Sequence, residues 1–301
     1  MIYGKGRDVP INETGQGNSD NTPIKQESYA YFLYVHADIV MAMQKKWAWI
    51  DRHYYLIDIN AGTGSNADGT EGSIRLAQRI IRERGHKLIA WAIEKRHDAV
   101  EQLRLALGDV SPFTILEGDN AALLQKALLP KDSTAKYGLV YADPNGAYDF
   151  PLDTIVAFFA NHHRATKYLD LLVSISATAL KRSKGTGILK YKLSDIMQRV
   201  DKKYWYLREP RPGDPWTWTM LLGINWPLWP ELTIPLDGQS RTLEFRRVSN
   251  PEWQHVVDRL TMTMQERQAL LQKKIPQLIL PIEPTENIWP IPGSEPYGPR
   301  L

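Results

Sequence analysis

From Glu27 to Trp49 the apolar side chains Tyr31, Leu33, Tyr34, Ile39, Val40 and Met43, with His36 among them, return at helical spacing. One amphipathic helix is expected there. The pattern then changes to short apolar runs alternating with helical ones. Tyr54–Ile59 reads as a strand ended by the turn Asn60-Ala61-Gly62-Thr63-Gly64. Ser73–Arg84 reads as a helix with Gly85 placed to cap it. Strands are expected over Lys87–Ile93, Phe113–Leu116, Tyr137–Ala142 and Leu169–Ser176, and helices over Asp98–Leu107, Ala121–Leu129 and Leu152–His163.

Five strands regularly separated by helices predict an α/β, Rossmann-like fold: a central, mostly parallel sheet with helices on both faces. Ligands in such sheets bind at the carboxyl ends of the strands, near the point where strand order reverses. Beyond Ser183 the pattern weakens. A helix is expected over Leu193–Tyr204, one or two strands over Trp216–Ile224, and a long amphipathic helix over Trp253–Lys274. Seven prolines in residues 276–301 exclude regular structure from that stretch. The expected organisation is a polar leader (1–26), a core with the ligand site (27–182), a basic, Trp-rich segment completing the sheet (183–250), an amphipathic helix (251–275) and an extended Pro-rich tail (276–301).

A chain of 301 residues with 43% hydrophobic and 24% charged residues is ordinary for a soluble globular protein. No apolar run is long enough to span a bilayer, and the polar N-terminus lacks a secretory signal, so a cytoplasmic location is expected. The absence of cysteine excludes disulfides, thiolate zinc sites and a cysteine nucleophile. The seven histidines show no metal-ligand spacing, and no metal is expected. A net charge of +3 decides nothing by itself. Its distribution does: ten Lys or Arg lie between Lys181 and Arg211, opposed only by Asp195, Asp201 and Glu209. That local excess could neutralise phosphates, or it could be a solvated helix face.

The polar residues cluster at the predicted strand ends. Gly62 and Gly64 allow a sharp turn and close approach of a ligand, and with Ala67 they satisfy G-x-G-x-x-A. The acidic Asp58 four positions before the first glycine and the polar insertion Asn66–Gly72 argue against a dinucleotide. Carboxylates at the ends of three successive strands suit a cationic, zwitterionic ligand that carries an adenosine. Asp58 or Asn60 could bond its amino-acid end, and Glu94 could take both ribose hydroxyls. Asp119 could accept from the adenine amino group, with Asn120 beside it, or it could cap the next helix.

LIDINAGTGSN, AIEK, EGDN and YADPNG, in that order, resemble the motifs of class I S-adenosylmethionine-dependent methyltransferases over residues 54–182. The chain is similar to bacterial and phage amino-methyltransferases of the Asp-Pro-Pro-Tyr type and to the three-Cys-motif partner proteins. The resemblance implies S-adenosylmethionine as cofactor and cofactor roles for Asp58, Gly62, Gly64, Glu94 and Asp119. It implies a reaction centre at Asp143, Pro144 and Asn145, where an acid orients an exocyclic amine towards the sulfonium methyl. Cytosine C5 methylation, which uses a thiolate, is excluded.

Asn145 and Gly146 depart from the second Pro and the aromatic residue of that motif. Tyr148 could supply the stacking face, with Lys190, Lys192 and Trp205 as further substrate-binding candidates; Trp205 and Trp229 are expected to be exposed, and Trp216, Trp218 and Trp226 to be core. The expected activity is methylation of a nucleic-acid base amine, adenine N6 before cytosine N4 and DNA before RNA. The alternatives are a methyltransferase acting on a protein or small molecule, and a non-catalytic subunit that docks a protein partner through its tail.

Overall fold

The computed structural model describes residues 22–66, 69–108, 113–127, 134–144, 150–161, 166–176, 193–209, 218–226, 232–236, 239–243, 245–248, 256–258, 260, 262, 266 and 269. The chain divides into two compact units, Met1–Thr261 and Met262–Leu301, and the sheet belongs to the first. The Pro-rich stretch 276–301 and most of the expected helix over Trp253–Lys274 lie outside the described residues; Val256, Val257, Asp258 and Leu260 are helical.

Five strands, β1 (His53–Asp58), β2 (Lys87–Glu94), β3 (Phe113–Glu117), β4 (Gly138–Ala142) and β5 (Leu169–Ser176), alternate with α2 (Ser73–Glu83), α3 (His97–Leu107), α4 (Asn120–Leu123) and α5 (Leu152–Asn161). Helix α6 (Leu193–Arg199) then precedes β6 (Tyr204–Arg208) and β7 (Trp218–Ile224), followed by β8 (Leu232–Leu236), β9 (Gln239–Leu243) and β10 (Phe245–Arg247). The eight-stranded sheet has the order β10-β6-β7-β5-β4-β1-β2-β3, and β8 and β9 form a separate pair. Strands β3, β2, β1, β4 and β5 are parallel. Strand β7 runs antiparallel between β5 and β6. This is the Rossmann-like fold of the methyltransferase type, and its strand order reverses between β1 and β4.

Period-two alternation divides the side chains of the buried strands between two cores. On one face Tyr54, Leu56, Leu139, Tyr141, Met220 and Leu222 pack with α1 (Thr22–Lys46) and α2. On the other Tyr55, Ile57, Val140, Leu171 and Leu221 pack with α5.

Helix α1 starts at Thr22, one turn before the sequence expectation, so its first turn takes residues from the expected leader. It is anchored through its middle by a buried polar chain. His36 Nδ1 meets the Tyr54 hydroxyl at 2.7 Å, and His36 Nε2 meets Asp170 Oδ2 at 2.9 Å. Burial pushes the Asp170 carboxyl up, and the His36 hydrogen bond opposes it.

Three expectations for the second half change. The helix expected to reach Tyr204 stops at Arg199, because Tyr204–Arg208 is an internal strand between β7 and β10. Trp205, expected to be exposed, is 8% exposed. Alternation turns it with Leu207 into the second core, opposite Gly223 of β7. A Cβ on Gly223 would stand 2.6 Å from the Trp205 ring, so the missing side chain makes the indole's seat. The basic stretch is partly structural as well. Arg208 is buried with its guanidinium 4.4 Å from the Trp218 ring centre. Buried Lys202 donates to the Leu169 carbonyl at 2.5 Å, and burial brings its pKa down to about 8. Trp218 is core as expected, Trp226 packs partly buried against it, and Trp216 and Trp229 lie outside the described residues.

Gly223→Ala is expected to destabilise the protein by about 1–3 kcal/mol through overpacking against Trp205. Thermal or urea unfolding followed by Trp fluorescence measures this; an unchanged midpoint would show that the indole is not seated on this glycine.

Candidate active site

The loops after β1, β2, β3 and β4 are knitted together at the carboxyl edge of the sheet. Ala61 N donates to the Ile93 carbonyl at 3.1 Å, Gly118 N to the Glu94 carbonyl at 2.8 Å, and Ile59 N to the Tyr141 carbonyl at 3.0 Å. The Asn120 side chain donates to the Ile59 carbonyl at 3.3 Å. These bonds gather Asp58, Asn60, Gly62, Gly64, Glu94, Asp119, Asn120, Asp143 and Pro144 at one edge. Asn145 and Tyr148, and likewise Lys190 and Lys192, lie outside the described residues.

Asp58 is fully buried at the tip of the central strand. Its Oδ1 accepts from the Asn60 amide at 3.0 Å and its Oδ2 from the Ser73 hydroxyl at 2.5 Å. Asp58 therefore shapes the loop from inside. Burial pushes its pKa up to about 7; the two hydrogen bonds oppose this, and the neighbouring Asp143 and Glu94 charges reinforce it. Asn60 carries a buried Oδ1 with no hydrogen-bond partner among the described residues.

Gly62 (φ +61°) and Gly64 (φ +75°) both take the left-handed conformation that glycine adopts without cost. Open space lies where a Cβ on Gly62 would point, whereas one on Gly64 would stand 2.9 Å from Leu103 Cδ1. Glu94 clamps this turn: its Oε2 accepts from the Gly62 amide and its Oε1 from the Arg96 amide, each at 3.0 Å. The polar insertion folds back on itself through Asn66 N donating to the Thr70 carbonyl at 2.9 Å, which delays α2 until Ser73.

Asp119 is exposed and caps α4, its Oδ1 accepting from the Ala121 amide at 2.9 Å. The capping role left open by the sequence is thus occupied.

At the tip of β4, Asp143 forms an ion pair with Lys25 of α1. Tyr29 stacks on Tyr141 with ring centres 4.2 Å apart, and its buried hydroxyl has no hydrogen-bond partner among the described residues. Burial, then the nearby carboxylates, hold both phenols well above their ordinary pKa. Lys25, Tyr29 and Ser73 were not read from the sequence as site residues. Thr22-Pro23 was the available signal for the first two, since proline favours the first turn of a helix and would have moved the helix start upstream.

Among the described residues no group of three or more His, Cys, Asp or Glu is arranged to hold a metal, and no helix is long and apolar enough to cross a membrane. No protein-family model matches the sequence. No curated protein matches it either. Solved structures give distant likenesses. Protein LPL1258 from Legionella pneumophila is 12% identical, with 67% of this chain and 85% of that one covered at a TM-score of 0.44. Aeropyrum pernix fibrillarin, solved with natively bound S-adenosyl-L-methionine, is 12% identical over 58% of this chain and 68% of its own, at 0.40. The YhhF protein of Escherichia coli is 15% identical over 71% and 96%, at 0.38.

The Asp58 geometry has a signed consequence for stability. Unfolded Asp58 ionises near 3.8 and the folded carboxyl near 7, so between those values the folded chain holds the extra proton. The stability this group contributes is full below pH 3.8 and is lost as pH rises through 7. Asp58→Asn keeps an acceptor without the ionisation. The melting temperature of the variant minus that of the parent is therefore expected to rise from pH 4 to pH 7 and level off above it; a difference constant across the range would remove the buried titration.

Proposed function

We propose that the protein is an S-adenosylmethionine-dependent methyltransferase acting on an exocyclic amine of a nucleic-acid base, adenine N6 before cytosine N4 and DNA before RNA. The observation that carries this reading is the single edge where Asp58, the Gly62–Gly64 turn, Glu94, Asp119 and Asp143 converge. The residues fit the cofactor in three respects. Open space over Gly62 admits a ligand close to the backbone. Asn60 has a buried acceptor without a partner among the described residues. Several carboxylates, with Lys25 the one cation paired to them among the described residues, at Asp143, suit a positively charged ligand.

In this reading S-adenosylmethionine supplies an electrophilic methyl group on its sulfonium. Asn60 holds the amino-acid end and Glu94 accepts from the ribose hydroxyls while it keeps the Gly62 turn in place. Asp119 and Asn120 flank the adenine. Asp143 accepts a hydrogen bond from the substrate amine and so aims the nitrogen lone pair, while Pro144 stiffens the turn that carries it. Alignment of this kind contributes several kcal/mol to a transfer that needs no prior deprotonation. The incoming amine competes with the Lys25 ammonium for Asp143.

Incubation with tritiated S-adenosylmethionine and adenine-containing DNA, RNA, proteins and small amines tests the substrate class. Label is expected on adenine N6 of DNA; transfer to protein or small molecules alone would overturn the nucleic-acid assignment. Asp143→Ala is expected to lower transfer by at least a hundredfold while cofactor affinity stays within a few-fold. Equal loss of both would mean that Asp143 belongs to cofactor binding.

A further inference from the structure

The opposite edge of the sheet carries a different chemistry. The amino-terminal ends of β1, β5 and β6 and the carboxyl ends of β7 and β10 meet there, about 20 Å along β1 from the site above. Trp49, in the loop before β1, is the one exposed Phe, Tyr or Trp among the described residues, at 46%. Its ring centre lies 6.0 Å from that of Trp47 and 5.6 Å from that of Tyr168. Each of these neighbours carries a lysine on its ring: Lys46 at 4.8 Å from Trp47 and Lys167 at 5.4 Å from Tyr168.

The same surface continues across the sheet edge. The Asn225 side chain donates to the Lys167 carbonyl at 2.7 Å and accepts from the Lys203 amide at 2.9 Å, joining the starts of β5 and β6. Tyr204 then lies between Lys203 at 5.3 Å and Arg247 at 4.7 Å. Lys45, Lys46, Lys167, Lys203 and Arg247 are all exposed, against Asp201 as the exposed acid beside Lys203.

We infer that this edge is a binding platform for single-stranded nucleic acid, with Trp49 stacking an unpaired base and the flanking cations contacting the backbone phosphates on either side. Stacking on an open aromatic face and phosphate neutralisation are the two terms that hold a single strand without sequence preference. A duplex offers the charges without a free base face, and an acidic polypeptide offers charge without the repeated planar rings that Trp49 takes. The lysines lying on Trp47 and Tyr168 keep those rings covered and leave the Trp49 face for the ligand. The platform stands apart from the transfer chemistry, so its test does not depend on methylation.

The test is fluorescence anisotropy of the full chain with a labelled 20-nucleotide oligo(dT), with a 20-base-pair duplex and poly-glutamate as competitors, at several salt concentrations. The single strand is expected to bind most tightly, with affinity falling steeply as salt rises. Trp49→Ala is expected to weaken it about tenfold or more, and Trp49→Phe to recover most of that loss, with the melting temperature unchanged because the side chain is exposed. The Lys46→Glu, Lys167→Glu double variant is expected to weaken binding and flatten the salt slope. Parental affinity in Trp49→Ala, or equal competition by the duplex or poly-glutamate, would overturn the platform.

Discussion

A carboxylate placed at the tip of the central strand and denied water organises this protein's candidate site. Asp58 accepts from the Asn60 amide and the Ser73 hydroxyl, and so joins the end of β1, the loop that follows it and the start of α2 in one buried contact. Burial and the charges of Asp143 and Glu94 make the ionised form costly, which is why the group titrates near 7. A nearby cation would lower that cost. This strand tip therefore favours positive charge, and the turn beside it takes the left-handed conformation at Gly62 and Gly64.

Helix α1 gives this edge its outer wall. The His36 contacts to Tyr54 and Asp170 fix its middle against the sheet, and its first turn is thereby carried over β4, where Lys25 meets Asp143 and Tyr29 covers Tyr141. Its last turn ends in Lys45 and Lys46, beside the Trp47–Trp49 aromatic pair. One helix therefore contributes to both edges of the sheet, an acidic edge at the strand tips and a cationic, aromatic one at the strand starts. The two edges lie at opposite ends of the strands, in a chain whose net charge is only +3.

The parallel half of the sheet was legible because its strands are buried on both faces and read as apolar runs between helical segments. The strand ends were legible for the same reason: polar residues that interrupt such runs have few other places to go. The second half was not. Trp205 sits between charged residues in the chain, yet alternation on β6 turns it into the core against Gly223, a cross-strand partner that local pattern does not reveal. Lys202 and Arg208 likewise count as surface charge in a tally, while one lies over Phe159 and the other over Trp218. The β8–β9 pair does carry a local signal, Asp237-Gly238 between two short runs. Asp119 shows a finer limit, since a cap and a ligand acceptor call for the same residue at the same place.

The central claim is that this edge binds an adenosine-bearing cation, and calorimetry of the full chain with S-adenosylmethionine and S-adenosylhomocysteine from pH 6 to pH 8 tests it most directly. The account predicts that both bind. Affinity for the sulfonium should improve relative to that for its thioether product as pH rises through 7, by up to tenfold per unit below that point, because the nearby cation favours the ionised form of Asp58, whose proton leaves to solvent. Absence of binding heat from the folded protein with either compound, or equal affinities with no pH dependence, would contradict it.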